Sequence, residues 1–272
     1  MKTKFQRLLP FLTFALLLIL APSCRHTASQ TTTVAEANDS LRWVRDIDIP
    51  SPLPDSVAEQ ILYRKAYIVS YNKDRLQPNW VAWHLTAEHV DGDVPRPNLA
   101  FHEDKDVPEP KAYHWDYRYE EDKHIDRGHM CPAGDNKWDK EAMYESFLMT
   151  NICPQHKALN SGIWNTIEKR CREWAKEYGD IYIVCGPIFM NREHDSIGEH
   201  HIPKPEAFFK VVACLNPNHP WGIGYICRNN EGTRKRDLYT NSISEVERIT
   251  GLTFFPNIDE AIKAKVKDTY EE

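Results

Sequence analysis

The chain has 272 residues, of which 41% are hydrophobic and 27% charged, enough for one large domain or two small ones with a substantial core. Its 34 Lys and Arg against 40 Asp and Glu leave a net charge of −6. That balance argues against a protein that coats nucleic acid passively, because such binding rests on phosphate neutralisation. It leaves room for an enzyme with a local basic cleft.

The N-terminus reads as targeting sequence. Lys2, Lys4 and Arg7 form a basic start, and Leu8 to Leu20 is an almost unbroken apolar run, long enough for a signal peptide and short for a membrane span. It ends in Leu20-Ala21-Pro22-Ser23-Cys24, small residues before a cysteine, which resembles a bacterial lipoprotein cleavage site. Residues 1–23 are therefore expected to be a signal peptide. Cys24 would carry the lipid that anchors an exported protein to a membrane, facing the periplasm or the cell surface. An ordinary cleaved signal, giving a secreted protein, is the alternative. Residues 24–55 read as a tether, with a Thr-, Ser- and Ala-rich part from Arg25 to Asn38. Residues 56–272 read as the folded domain. Its six cysteines, Cys131, Cys153, Cys171, Cys185, Cys214 and Cys227, are an even number that permits disulfides in an exported protein. No CxxC pair supports a structural zinc.

Within the domain, Tyr67 to Tyr71 and Val81 to Leu85 alternate in a way that predicts half-buried antiparallel strands. Asp91 to Pro110, with four prolines and many charges, predicts a loop. Asp139 to Ser146 predicts a short helix and Phe147 to Met149 a brief strand. Trp164, Ile167, Cys171, Trp174 and Tyr178 form an apolar stripe at helical spacing, with Asn160 or Ser161 as N-cap and Gly179 at the end. Ile181–Cys185, Phe208–Cys214 and Trp221–Cys227 predict three buried strands. Ser242 with Glu245 predicts a capping box for a helix ending at Gly251. Strands and helices mix without βαβ alternation, which predicts a single α+β domain.

Four local features carry chemistry: Asp126-Arg127-Gly128-His129, then Asn151-Ile152-Cys153-Pro154-Gln155, then Leu159-Asn160, then Glu168. On one helix, positions 160, 164 and 168 would form a ridge. Together these residues resemble the DNA/RNA non-specific endonucleases of the ββα-metal (His-Me finger) class. That family's pattern is DRGH, SN-x-x-PQ and LN-x-x-x-W-x-x-x-E; here it reads DRGHM, TNICPQ and LNSGIWNTIE. Similar stretches, from Asn79-Trp80-Val81-Ala82-Trp83 to Thr250–Pro256, extend the resemblance over about residues 60 to 257.

The resemblance implies a central antiparallel sheet flanked by helices, and a metal-dependent endonuclease cutting DNA and RNA with little sequence preference. His129 is the expected general base, since an ordinary imidazole titrates near neutrality. Asn160 is the expected ligand of Mg2+, or of Mn2+ or another divalent cation, because a carbonyl oxygen suits a hard ion that keeps several waters. Glu168 would hold water around that ion. Arg127 and Arg96 would grip the phosphate, and Asn151 would orient the site. Nothing in the set reads base edges. Thr150 stands where the family favours Ser, and Cys131 and Cys153 either pair or fill the core. Arg234-Lys235-Arg236 and the histidines His194, His200 and His201 read as exposed loops. A homodimer is compatible with the sequence. Two rival readings are a phosphodiesterase of the same fold with a narrower substrate, and a non-enzymatic nucleic-acid-binding lipoprotein.

Overall fold

The computed structural model describes residues 49–98, 101–118, 124–190, 193–230 and 235–268. The expected signal peptide, Cys24 with its expected lipid, most of the expected tether and Arg234 lie outside the described residues.

Three strands open the domain: β1 (Gln60–Tyr63), β2 (Ile68–Asn72) and β3 (Gln77–Thr86). A two-stranded ladder follows, β4 (Ile125–His129) with β5 (Ile152–His156). Between its strands lies helix α1 (Lys140–Glu145), whose N-cap Asp139 accepts from the backbone N–H of Glu141 and Ala142. After β5 come a one-turn helix (Lys157–Leu159), a π-turn (Asn160–Trp164) and helix α2 (Asn165–Tyr178). Then come β6 (Asp180–Ile188), the short pair β7 (Ser196–Ile197) and β8 (Ile202–Pro203), β9 (Ala207–Cys214) and β10 (Trp221–Arg228). The chain closes with β11 (Thr240–Asn241), α3 (Ile243–Thr250) and α4 (Glu260–Asp268).

Seven strands form one antiparallel sheet in the order β1-β2-β3-β6-β9-β10-β11. The expected α+β class, with a central antiparallel sheet flanked by helices, is what the chain adopts. The strands alternate between two cores. On one face Val69, Trp83, Ile183 and Val212 meet Ile167, Cys171 and Trp174 of α2. On the other, Ile68, Ala82, Val184 and Val211 meet Ile243 and Val246 of α3 together with Phe254 and Phe255. The strands expected to be half-buried are therefore buried on both sides: every residue of β2 is buried, and in β3 only Asn79, His84 and Thr86 keep partial exposure.

Several expectations hold in detail. The apolar stripe of α2 is core, and the helix ends at Gly179 with φ 91°. Ser242 accepts from Glu245 N, and α3 stops at Gly251, whose left-handed φ of 74° is a C-terminal cap conformation. Two do not hold. Phe147–Met149 is not a strand: Leu148 makes only an isolated bridge to His102, and Met149–Asn151 is a 3-10 turn. The physical reason is Asn151, whose side chain ties this segment to the backbone of Ser146 and Cys131. Neither Asn160 nor Ser161 is a helix N-cap. The helical segment begins earlier, where His156 Nδ1 accepts from Ala158 N at 3.2 Å, and Gly162 (φ −99°, ψ −116°) breaks it before α2. All six cysteines of the domain are buried and none forms a disulfide, so Cys131 and Cys153 fill the core rather than bridging.

Candidate active site

The β4–β5 ladder and the helical segment after it place the sequence motifs around one cleft of about 380 Å³. Its walls include Arg96, Arg127, His129, Asn160, Glu168 and Arg172. The register sets His129 opposite Ile152 and Gly128 opposite Cys153. Glycine is required in this motif for space: a Cβ on Gly128 would lie 2.4 Å from Gln155 Oε1 and 2.5 Å from Gln155 Cβ. The buried Gln155 therefore presses directly on the backbone next to His129.

His129 is held by aromatic rings. Phe147 meets it edge-on at 5.0 Å between centroids, and Phe101 packs tilted at 5.3 Å. Each phenylalanine in turn carries an arginine on its face, Arg96 over Phe147 at 4.8 Å and Arg127 over Phe101 at 4.6 Å. Two guanidinium groups are thereby set beside the imidazole by cation–π contact. Arg127 also donates to the carbonyl of His114 at 3.4 Å. The imidazole Nε2 is buried and has no hydrogen-bond partner among the described residues. Burial, then Arg96 and Arg127, lower the His129 pKa to about 3. The ordinary imidazole value expected from sequence thus gives way to a ring that is neutral throughout the physiological range.

Asn160 lies in the π-turn. Its amide nitrogen donates to Asp126 Oδ2 at 3.0 Å. Only the N–H side of an amide can bond a carboxylate, so this contact fixes the side-chain orientation and leaves the carbonyl oxygen for another partner. The π-turn breaks the ridge expected of Asn160, Trp164 and Glu168. Trp164 is wholly buried in the core, while Asn160 and Glu168 still line the same cleft.

Glu168 stands over a buried polar group that sequence reasoning missed. Lys210 of β9 is 1% exposed, its ammonium 4.3 Å from the Trp164 ring and 5.5 Å from that of Trp83. Trp83 Nε1 donates to Asp135 Oδ2 at 3.1 Å, and Arg172 donates to Asp135 Oδ1 at 2.7 Å. Burial pushes Glu168 up to about 7, with Lys210 and Arg172 opposing and Asp135 reinforcing the rise. Burial alone would lower Lys210, but Cys185, Glu168, Cys171 and Asp135 outweigh it and hold its pKa above the ordinary value. A lone lysine in the apolar run Phe208–Cys214 was the signal that could have found it, since an unpaired lysine is almost never fully buried.

Asn151 does not line the cleft. It accepts from Cys131 N at 2.9 Å and donates to the carbonyls of Cys131 and Ser146, both at 2.8 Å. It therefore sets the turn that follows His129. Thr150 donates to Asp104 Oδ2 at 2.6 Å, so the hydroxyl shared by Ser and Thr is used and the extra methyl is buried. His194 bonds Glu206 at 2.7 Å and His200 bonds Asp116 at 3.0 Å. Among the described residues no group of three His, Cys, Asp or Glu is arranged to hold a metal ion. The site fits a different kind of cation binding. One oriented amide carbonyl, with a carboxyl at Glu168 in the same cleft, suits a hard divalent ion that keeps most of its water.

Comparison with other proteins points the same way. A family model described as DNA/RNA non-specific endonuclease matches residues 49–261. Over 228 residues the chain is 32% identical to the mitochondrial nuclease EXOG of Danio rerio, covering 75% of this chain and 63% of that protein. Against human EXOG the identity is 31% over 209 residues, 71% of this chain and 56% of the relative. The chain thus spans about three fifths of the length of these EXOG relatives. It is also 31% identical over 215 residues to the mitochondrial endonuclease G of Bos taurus, covering 73% of this chain and 70% of that one. Among solved structures, a chain of the EndoG/EndoGI complex superposes with a TM-score of 0.71 at 26% identity, covering 78% of this chain and 92% of that chain.

Proposed function

The chain belongs to the DNA/RNA non-specific endonuclease family, and from that premise we propose that it hydrolyses phosphodiester bonds of DNA and RNA with little sequence preference. The observation that carries the reading is the single cleft that gathers His129, Arg96, Arg127, Asn160 and Glu168.

His129 is the general base. A water molecule adds to phosphorus, its proton passes to the imidazole, the P–O3′ bond breaks, and the leaving 3′ oxygen takes a proton from solvent water while the imidazolium returns its own to solvent. With a pKa of about 3 the free imidazole is a weak base. Burial is the larger cause of that depression and remains, but a phosphate seated between Arg96 and Arg127 cancels the share that those two charges add, and so raises the basicity of the ring when substrate is bound. The same two guanidinium groups neutralise charge growing on the phosphorane-like transition state. A hard divalent cation, Mg2+ in this reading and Mn2+ as an alternative, would be held by the Asn160 carbonyl and would supply Lewis-acid stabilisation. Asp126 fixes that carbonyl, and Glu168 orders water beside it. Asn151 shapes the backbone after His129. These contacts concern phosphate and backbone, which carry no base sequence.

The same reading keeps Cys24 as the lipid attachment point and the domain outside the cytoplasm, supported by the basic start, the apolar run and the small residues before Cys24. Radiolabelled palmitate incorporation that disappears in Cys24→Ala tests the anchor. A secreted, unlabelled protein would replace it with the ordinary signal.

The central test is degradation of plasmid DNA and of RNA by the purified chain with Mg2+, with EDTA, and as His129→Ala. We expect both substrates to be cut with Mg2+, neither in EDTA, and a loss of roughly 10²–10⁴-fold in His129→Ala. Folded protein that cuts neither under any divalent metal would sink the nuclease reading. Hydrolysis of small diesters alone would favour the narrower phosphodiesterase, and binding without hydrolysis the nucleic-acid-binding lipoprotein.

A further inference from the structure

The active-site cleft does not end at Glu168. A second, shallower groove of about 450 Å³ adjoins it, and Gly134 and Arg172 line both. The second groove carries Lys137, Lys169 and Lys176. Lys169, Arg172 and Lys176 recur at helical spacing along one side of α2. Their span of seven positions is about 10 Å at the α-helical rise. Lys137 comes from the opposite wall, where its backbone is fixed: its carbonyl accepts from Val94 N at 2.9 Å, and a Cβ on Gly92 would lie only 2.2 Å from it.

The charges in this groove are unbalanced. Glu173, its acidic residue, is engaged by Arg170 at 3.1 Å, and Lys176 pairs with Asp91. Lys137 and Lys169 are exposed, and among the described residues neither is in an ion pair. A chain with a net charge of −6 therefore places two unneutralised ammonium groups beside a groove that continues its active-site cleft. Arg172 at the junction is held by Asp135 and still faces both spaces.

We propose that this groove is a polynucleotide subsite, in which Lys137 and Lys169 contact backbone phosphates of the strand that runs out of the active-site cleft past Arg172. The inference rests on the nuclease reading and deepens it: the preferred substrate is a strand long enough to occupy both grooves. At about 3.4 Å of axial rise per nucleotide in a duplex strand, the row from Lys169 to Lys176 is roughly three nucleotides long. Contacts of this kind set affinity and salt dependence without selecting sequence.

The test is equilibrium binding of a fluorescent 20-nucleotide single strand to the full chain in the His129→Ala background, across a salt series. The Lys137→Ala/Lys169→Ala variant is compared with Lys140→Ala, an exposed lysine of α1 outside both grooves. We expect the double variant to bind roughly tenfold more weakly at low salt, with the slope of log K against log salt reduced by about 1.4, the value for two lost single-strand contacts. Lys140→Ala should leave the slope unchanged. An unchanged slope in the double variant, or an equal change in Lys140→Ala, overturns the subsite. An unchanged slope with weakened binding to phosphatidylglycerol vesicles overturns it in favour of a membrane-facing patch. Cleavage by the protein with His129 intact decides the nuclease reading separately. A protein that binds with the expected slopes and never cuts would keep the groove and lose the enzyme.

Discussion

The two faces of the central sheet are built on different terms. The face under α3 is packed by Ile68, Val184, Val211, Phe209 and Phe254. The face under α2 has an equally apolar frame, but it also holds buried Lys210 and Asp135 and supports Glu168 at the cleft. Adjacent residues of one strand belong to opposite regimes: Lys210 faces α2 and the site, Val211 faces α3. Burying paired charge seldom adds stability over apolar packing. The charge is thus found on the side where chemistry needs a fixed electrostatic field, and the other side carries the simpler task of holding the sheet together.

The largest expected effect comes from breaking the polar side. Lys210→Met removes the fully buried cation beside Glu168 and leaves Asp135 to Arg172 and Trp83, which should cost roughly 3–5 kcal/mol, read by denaturant unfolding, together with a marked loss of nuclease activity. Its neighbour sharpens the contrast: Val211→Ala should cost about 2 kcal/mol as an apolar truncation and leave activity per folded molecule intact. Retained activity in Lys210→Met, measured on folded protein, would remove the distinction between the faces.

Gly128→Ala forces a methyl into Gln155. A shift of β4 by about 1 Å relative to the cation site should lower turnover by roughly 100-fold with a smaller loss of stability. The double change Gly128→Ala/Gln155→Ala, which empties the space, should restore part of that turnover. On the opposite face, Gly251→Ala places a Cβ in the left-handed region and should cost about 1 kcal/mol with no change in kcat.

The smallest effect is a titration. The His129 pKa of about 3 lies below the ordinary 6.5. Between these values the unfolded chain binds a proton that the folded chain does not, so His129 subtracts stability as pH falls from 6.5 towards 3 and is neutral in effect above 6.5. Imidazole NMR should show no titration of His129 between pH 5 and 8. In Arg96→Ala, with one of the depressing charges gone, its pKa should rise.

The parts of the site legible in the sequence were those written locally. DRGH lies on β4, TNICPQ on the turn into β5, and LNSGIWNTIE on the contiguous helical run into α2, and pairing β4 with β5 brings them to one cleft. What was not legible came through long-range contacts. Nothing near Asn160 in sequence announces that Asp126 will orient it, and nothing near Glu168 announces Lys210. Helical periodicity placed Trp164 and Glu168 on a single ridge with Asn160, because it assumes a regular helix. The break at Gly162 sends Trp164 to the core and keeps Asn160 in the cleft. The strand expected over Phe147–Met149 failed for a related reason: its apolar letters fit a strand, but its backbone closes local turns and meets only His102, while the Asn151 side chain ties the flanking turn to Ser146 and Cys131. The outer strands β2 and β3 looked half-solvated because alternation was read without knowing that a second layer covers the far face.

The β4–β5 ladder is separate from the seven-stranded sheet, with no backbone pairing between the two. Its attachment is by side chains, so its opening and that of the sheet are different events with different free energies. Amide protons of Asp126 to His129 should therefore exchange with solvent deuterium ahead of those in β6 and β9. On that expectation the ladder that carries His129 opens while the platform beneath it stays closed.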